Sequence, residues 1–317
     1  MRMIKKLFCA NRWKIAYRID RSSDIFDFSN KIPFTYVSFP KGFWGADPFL
    51  FKHNEKIYIF CEYTNEKKSK SYISFKELYP SEEKEWHVAY EFEGHTSYPC
   101  IFEHSGELFM IPETTFDNSV RILKFGKGKW KEYSCLLNNI NAPDTTFVRI
   151  NSKPFIFLYE IISRDKRVLH LCELNNELSL IINDIIIKKY SSPDGRPGGN
   201  CFAKDGKLYR VVQPGIKRYG EKLNIFEFSF DGKNYDEQLC IEIMPCDVFV
   251  KNKKSDKILG AHTFNKVDQI EVIDMLIRGK FDLFRPFKIL FKRLRIFGFG
   301  QYEKDKLLVN KEFIQNN

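Results

Sequence analysis

One pattern recurs along most of the chain and limits its fold more than any other feature: an apolar strand, a short polar turn, and a second apolar strand. The copies are Ala46-Asp47-Pro48-Phe49-Leu50-Phe51 with Lys56–Phe60, Ser97-Tyr98-Pro99-Cys100-Ile101-Phe102 with Glu107–Ile111, and Pro143-Asp144-Thr145-Thr146-Phe147-Val148 with Pro154–Leu158. A fourth is Gly198-Gly199-Asn200-Cys201-Phe202 with Lys207–Val212, and a degenerate fifth is Gly260-Ala261-His262-Thr263-Phe264 with Gln269–Ile273. His53-Asn54-Glu55, His104-Ser105-Gly106, Asn151-Ser152 and Asp205-Gly206 have the composition of hairpin turns. The copies recur at steps of about 50 residues, which leaves room for two more strands in each unit. Segments such as Ser71–Phe75, Val120–Phe125, Val168–Cys172 and Leu223–Phe228 alternate as third strands should. Five four-stranded units around an axis make an all-β, five-bladed β-propeller, with a β-sandwich as the competing arrangement.

Composition agrees with strands. Aromatic residues are 16% of the chain and Phe alone counts 31, and rings suit a pleated, half-buried surface. The eight cysteines are spread singly, without CxxC or zinc-type spacing, and read as buried thiols in a reducing compartment. No metal and no cofactor is expected. The N-terminal residues meet Asn11, Arg12 and Lys14 before an apolar run reaches signal-peptide length, and no apolar stretch is long enough to span a bilayer. The expected location is the cytoplasm, with peripheral association at the inner membrane face as a further expectation.

In a propeller the first strand of each blade starts near the axis, so residues at its start converge on one face. Here they are Asp47, Tyr98, Asp144, the Arg196–Asn200 loop and His262. Glu62, Glu113 and Gln213 follow fifteen residues after the starts of their units, and Glu160 falls one place late. Carboxylates gathered in a concave place repel one another, which raises some of their pKa values and prepares acid and base roles. The other reading of such side chains is that they bond backbone groups at blade ends and hold the ring closed. Asp47, Asp144 and Glu113 are the candidate catalytic residues. Trp44, His95, Tyr98, Arg196, Gln213 and His262 are the candidate substrate contacts: Trp44 as a ring that either stacks on a sugar or fills the core, Arg196 as a binder of phosphate or carboxylate. The glycines after Arg196 permit close approach of a ligand to the backbone.

Ala46-Asp47-Pro48-Phe49-Leu50 and its hairpin resemble the first blade of glycoside hydrolase family 43. The resemblance implies a general base at Asp47 and, at Asp144, a second Asp that tunes the acid and orients substrate. The family's general acid is a Glu opening the fourth blade, commonly before Gly-Pro, whereas this chain reads Asp194-Gly195-Arg196-Pro197-Gly198-Gly199. Hydrolysis of the ordinary kind needs that acid, so Asp194 or Glu113 would have to replace it. A wider set comprises Trp13–Arg18, Ala46–Phe49, His95–Pro99, Ile111–Thr114, Asp144–Thr146, Tyr209–Gln213 and His262-Thr263. Together these resemble the propeller domain that precedes the transferase domain in plant glucosamine inositolphosphorylceramide transferases and that occurs in bacterial surface-polysaccharide proteins.

A disproportionate share of the formal charge of +10, though less than half of it, lies in one short C-terminal stretch. Within 281–297 bulky apolar residues alternate with basic ones, and from Pro286 onward Phe287, Leu290, Phe291 and Leu294 fall at helical spacing. The division is therefore a propeller over 1–280 and a basic amphipathic tail over 281–317, which lies either on anionic lipid or against the propeller. Basic residues do not cluster on the axial face, so no nucleic-acid partner is expected. The reading that follows is a carbohydrate-active protein of surface-polysaccharide or glycolipid assembly, transferring a sugar to or from an activated or lipid-linked substrate. A family-43-like hydrolase and a non-catalytic glycan-binding module partnering a transferase are the alternatives.

Overall fold

The computed structural model describes residues 11–20, 32–65, 70–114, 116–251, 256–279 and Leu283. The chain enters on β1 (Arg12–Ile19) and β2 (Thr35–Tyr36). The first blade is β3 (Phe43–His53), β4 (Lys56–Asn65), β5 (Lys70–Tyr79) and β6 (His87–Tyr90). The second is β7 (Ser97–His104), β8 (Glu107–Glu113), β9 (Ser119–Gly126) and β10 (Lys129–Asn138). The third is β11 (Thr146–Ile150), β12 (Lys153–Ser163), β13 (Lys166–Leu174) and β14 (Ile181–Tyr190). The fourth is β15 (Phe202–Lys204), β16 (Lys207–Val212), β17 (Leu223–Phe230) and β18 (Tyr235–Ile243). The chain then supplies β19 (Ile258–Gly260), β20 (Phe264–Val267) and β21 (Ile270–Ile277). Blades one to four are antiparallel meanders in sequence order.

The fifth blade is assembled from both ends of this series. β21 pairs with β1 from Arg12↔Ile277 to Ile19↔Ile270, and β1 pairs in turn with β2. Arg18 and Glu271 face each other across that seam at 2.7 Å, both almost fully buried. Sequence periodicity did not assign this role to β1, because its partner lies at the far end of the chain. The result is the expected five-bladed β-propeller, closed by an early strand inserted into the last blade.

The turn chemistry explains the inner hairpins. Ser105 and Gly106 (φ 53° and 75°), Asn151 and Ser152 (φ 49° and 67°), and Asp205 and Gly206 (φ 51° and 75°) each place two successive residues in the left-handed region, as a two-residue hairpin turn demands. The core lies at the blade junctions. Phe49, Phe60, Tyr98, Phe102, Phe147 and Ile156 fill it from the first blade to the third. Phe155, Phe157 and Phe228 join the third blade to the fourth, Val211, Ile225 and Met275 the fourth to the fifth, and Ile15, Leu50 and Val272 the fifth to the first. Most inner and middle strands are thus buried on both faces, the short β15 excepted, whereas β14 and β18 are largely exposed outer strands.

Among the seven described cysteines, all free, Cys61, Cys100 and Cys172 are buried, but Cys135 and Cys201 are half-buried and Cys240 and Cys246 exposed. The expectation of buried thiols is corrected to that extent, because the exposed pair lies on and just after the outer strand β18. The amphipathic tail, apart from Leu283, lies outside the described residues, and no described helix is long and apolar enough to cross a membrane.

Candidate functional site

Three blade starts share one unusual backbone feature. Asp47 (φ 50°), Tyr98 (φ 44°) and Asp144 (φ 57°) are all left-handed non-glycine residues, a conformation that costs energy and recurs at binding and catalytic positions. In the first two blades it coincides with a break in strand register, between Ala46 and Phe49 and between Ser97 and Cys100. Such a bulge re-aims a side chain out of the ladder. Tyr98 nevertheless corrects the expectation of a substrate contact. It is fully buried, its hydroxyl lies 2.8 Å from Thr146 Oγ1, and it accepts the Gly199 N–H at 2.8 Å. It ties the second, third and fourth blades together under the site.

One half of the site lies where the first and fifth blades meet. Asp47 Oδ1 accepts the Thr263 hydroxyl at 2.8 Å and lies 3.3 Å from His262 Nε2. On the other side of the imidazole, Nδ1 is 2.6 Å from Asp274 Oδ2. Asp274 is fully buried and accepts the backbone N–H groups of Asp47, His262 and Thr263 at 3.0, 3.1 and 2.9 Å. Burial alone would depress the His262 pKa, but Asp274 and Asp47 hold it above the usual histidine value. Burial raises that of Asp47, against the pull of His262.

Next to them is Glu62, whose carboxyl accepts the Thr64 hydroxyl at 2.9 Å. Its burial and the Asp47 charge push its pKa up to about 8. His95 Nδ1 is 3.0 Å from Ser71 Oγ and 4.0 Å from Glu62 Oε1, with 57% of the histidine side chain exposed. His95 is thus an exposed neighbour of the buried carboxyl, hydrogen-bonded to Ser71 rather than to Glu62. The expected His262 and His95 both belong to this half, as does Glu62.

Asp47, His262 and Asp274 bring one ligand atom each within 4.8 Å of one another, a spacing compatible with a cation. Both Asp274 oxygens, however, already accept backbone N–H groups, and Oδ2 also faces the imidazole. The lone-pair sites of Asp274 are thus taken up by its own contacts, which leaves it a poor metal ligand.

The other half gathers around Arg196. Its Nε donates to Asp144 Oδ2, and its Nη2 lies 3.3 Å from Glu113 Oε2. Gln213 Nε2 donates to the same Asp144 oxygen at 2.6 Å and to Pro197 O at 2.8 Å. Burial raises the Asp144 pKa, Arg196 opposes this, and Glu113 adds to it. Glu113, expected as a candidate acid, is thus engaged with a guanidinium, and Gln213 positions Asp144. Tyr219 stands by the guanidinium, with its ring centroid 5.7 Å from Cζ, and also meets His262 edge-on at 5.0 Å.

The glycines after Arg196 have a different reason from the one expected. A Cβ at Gly199 would stand 2.0 Å from Phe264 O, and one at Gly198 would stand 2.9 Å from His262 O. The fifth blade's own backbone, rather than a ligand, makes the close approach. Asp194 accepts the adjacent Gly195 N–H. Glu160 faces His170 within the third blade at 3.6 Å.

Sequence reasoning did not name Tyr219 or Asp274 for the site, and used Trp13 only within the Trp13–Arg18 segment of the family resemblance. Trp13 stacks on His262 with centroids 4.0 Å apart and planes at 25°. Trp44 is half-buried in a groove beside Trp13 rather than sealed in the core. A carboxylate inside the apolar run Val272-Ile273-Asp274-Met275-Leu276-Ile277 was the available signal for Asp274, since charges are rarely fully buried unless paired.

A family model described as glucosamine inositolphosphorylceramide transferase 1, N-terminal, matches residues 32–274. Glucosamine inositolphosphorylceramide transferase 1 of Arabidopsis thaliana is 25% identical over 215 residues, 61% of this chain and 26% of the relative. The protein of the same name from Oryza sativa subsp. indica is 23% identical over 204 residues, 57% of this chain and 26% of the relative. The matched region is thus about a quarter of the length of these relatives. Among solved structures, a thermostable family-43 glycoside hydrolase superposes with a TM-score of 0.50 at 11% identity, covering 76% of this chain and 91% of that one. An exo-β-1,3-galactanase from Phanerochaete chrysosporium, solved with galactose, gives a TM-score of 0.50 at 8% identity, covering 82% and 64%. At such identities the likeness is one of fold.

Proposed function

For a chain that belongs to the glucosamine inositolphosphorylceramide transferase N-terminal family, we propose a role in glycolipid or surface-polysaccharide assembly, with a sugar held in the axial site and transferred there. The observation that carries this reading is the Arg196 guanidinium held between Asp144 and Glu113, where the family-43 pattern has a glutamic acid. An arginine cannot protonate a leaving oxygen near neutrality, but it orients carboxylates and hydroxyls and favours anionic groups.

Proton handling then falls to the other half of the site. Asp47, braced by Thr263 and His262, takes the proton of the attacking hydroxyl as the new glycosidic bond forms. Glu62, raised to about 8, retains its proton at neutral pH and gives it to the leaving oxygen as the old bond breaks. One proton is taken and one given. Water as the attacking group would make the same site a hydrolase, the reading that the family-43 fold favours. A non-catalytic glycan-binding role draws support from the match to only 26% of the plant relatives, which leaves most of their length for chemistry.

Asp47→Asn separates these readings. We expect it to reduce transfer, measured as polysaccharide or glycolipid assembly in cells, by about 10²–10⁴-fold while leaving glycan binding intact. Unchanged assembly would leave only the binding role. Free sugar released from aryl glycosides by the purified protein would favour hydrolysis. The basic segment 281–297 is proposed to hold the protein at an anionic membrane face, and flotation with anionic liposomes should be lost on its removal.

A further inference from the structure

A groove of about 210 Å³ is lined by Arg12, Trp13, Lys14, Tyr36, Phe39, Phe43 and Trp44, among other residues. Its place follows from strand direction. β21 rises from the turn at Asp268-Gln269 and ends where Ile277 pairs with Arg12, so Arg12, Trp13 and Lys14 lie toward the end of the fifth blade that carries Asp274. Phe43, Trp44 and Gly45 precede Asp47 on β3. Both walls therefore stand on the face of the propeller that bears the carboxylates. Trp13 belongs to groove and axial site alike, because it lines the one and stacks on His262 in the other.

We propose that this groove is a second saccharide subsite, continuous with the axial site through Trp13, and that the ligand is a glycan of at least two sugar units. The proposal rests on the axial sugar reading above. The indoles of Trp13 and Trp44 offer flat apolar surface for the C–H face of a sugar ring, and Phe39 and Phe43, stacked on Trp86 and Tyr63, back that surface. Arg12 and Lys14 place charged donors at the rim for its hydroxyls. Lys14 Nζ lies 4.4 Å from the Tyr36 ring centroid and 3.6 Å from Asp256, so its position is set before any ligand arrives. The volume is below the roughly 300 Å³ at which self-sufficient ligand pockets begin, which suits one unit of a longer ligand.

The test is a glycan array followed by calorimetry of the strongest oligosaccharide binder and of its terminal methyl monosaccharide. Wild-type protein should bind the oligosaccharide at least about tenfold tighter than the monosaccharide. Lys14→Ala should narrow that difference without changing monosaccharide affinity, Trp44→Ala should erase it, and Trp44→Phe should keep part of it. Far-ultraviolet circular dichroism and melting of each variant verify folding, and Lys14→Ala provides a second probe of the same groove. Equal affinities for the two ligands in wild type, or a chain-length gain that survives Trp44→Ala and Lys14→Ala, would overturn the subsite while the axial sugar site stands. Binding of no glycan at all would overturn both. Displacement of the oligosaccharide by monomeric dodecylphosphocholine, sensitive to Trp44→Ala, would assign the groove to an acyl chain and also defeat the proposal.

Discussion

The two halves of the axial site hold similar numbers of carboxylates and treat them oppositely. Around Asp47 the carboxyls meet neutral hydroxyls, backbone N–H groups and an imidazole, and around Asp144 they meet a guanidinium. An imidazole and a raised carboxyl exchange protons in the physiological range, whereas a guanidinium does not. The first half is therefore built to move protons and the second to hold charge still.

The largest expected effect falls on the second half. Arg196→Met leaves Asp144 and Glu113 without their counter-charge and should lower the unfolding free energy by about 3 kcal/mol, read by denaturant titration. Adding Asp144→Asn should recover part of the loss. A change below about 0.5 kcal/mol would dissolve the contrast between the halves.

A smaller effect, dependent on pH, is expected from Glu62. Its pKa rises from 4.5 to about 8 on folding, so between those values the folded chain binds more protons than the unfolded chain. Stability contributed by this group is then present at low pH and declines as pH approaches 8, beyond which the loss is complete. Glu62→Gln should flatten this decline by roughly 2 kcal/mol between pH 5 and pH 6.5, measured by melting at each pH. Parallel curves for variant and wild type would place Glu62 among ordinary carboxylates.

The smallest change in stability is expected for Asp47→Asn, under about 1 kcal/mol, because the amide can still accept the Thr263 hydroxyl. Its effect on transfer should nonetheless be large. A stability loss as large as that of Arg196→Met would recast the first half as structural.

The inner hairpins were legible because turn chemistry and continuous apolar runs are local signals. Ser105-Gly106 and Asp205-Gly206 need no knowledge of the rest of the fold to be read as turns. The outer strands were not read individually, since β14 and β18 carry exposed faces with weak apolar alternation. Asp47, Asp144 and His262 were expected at blade starts, and the structure has them in the two groups described above. The same rule misplaced Tyr98, because equivalent backbone positions do not tell whether a side chain enters the cavity or the packed layer beneath it. Trp13 and Asp274 were not assigned to the site for a different reason: they enter it from strands that close the ring, a pairing visible only in three dimensions.

The seam between β1 and β21 makes the folding order consequential. Arg18 and Glu271 are separated by 253 positions, so the first of the two strands to be made must wait for its distant partner. Trp13 rides on the waiting strand and packs on His262 beside the partner strand. A nascent chain can thus complete four blades without yet possessing a finished site, and assembly of the reactive face coincides with the final commitment of the ring.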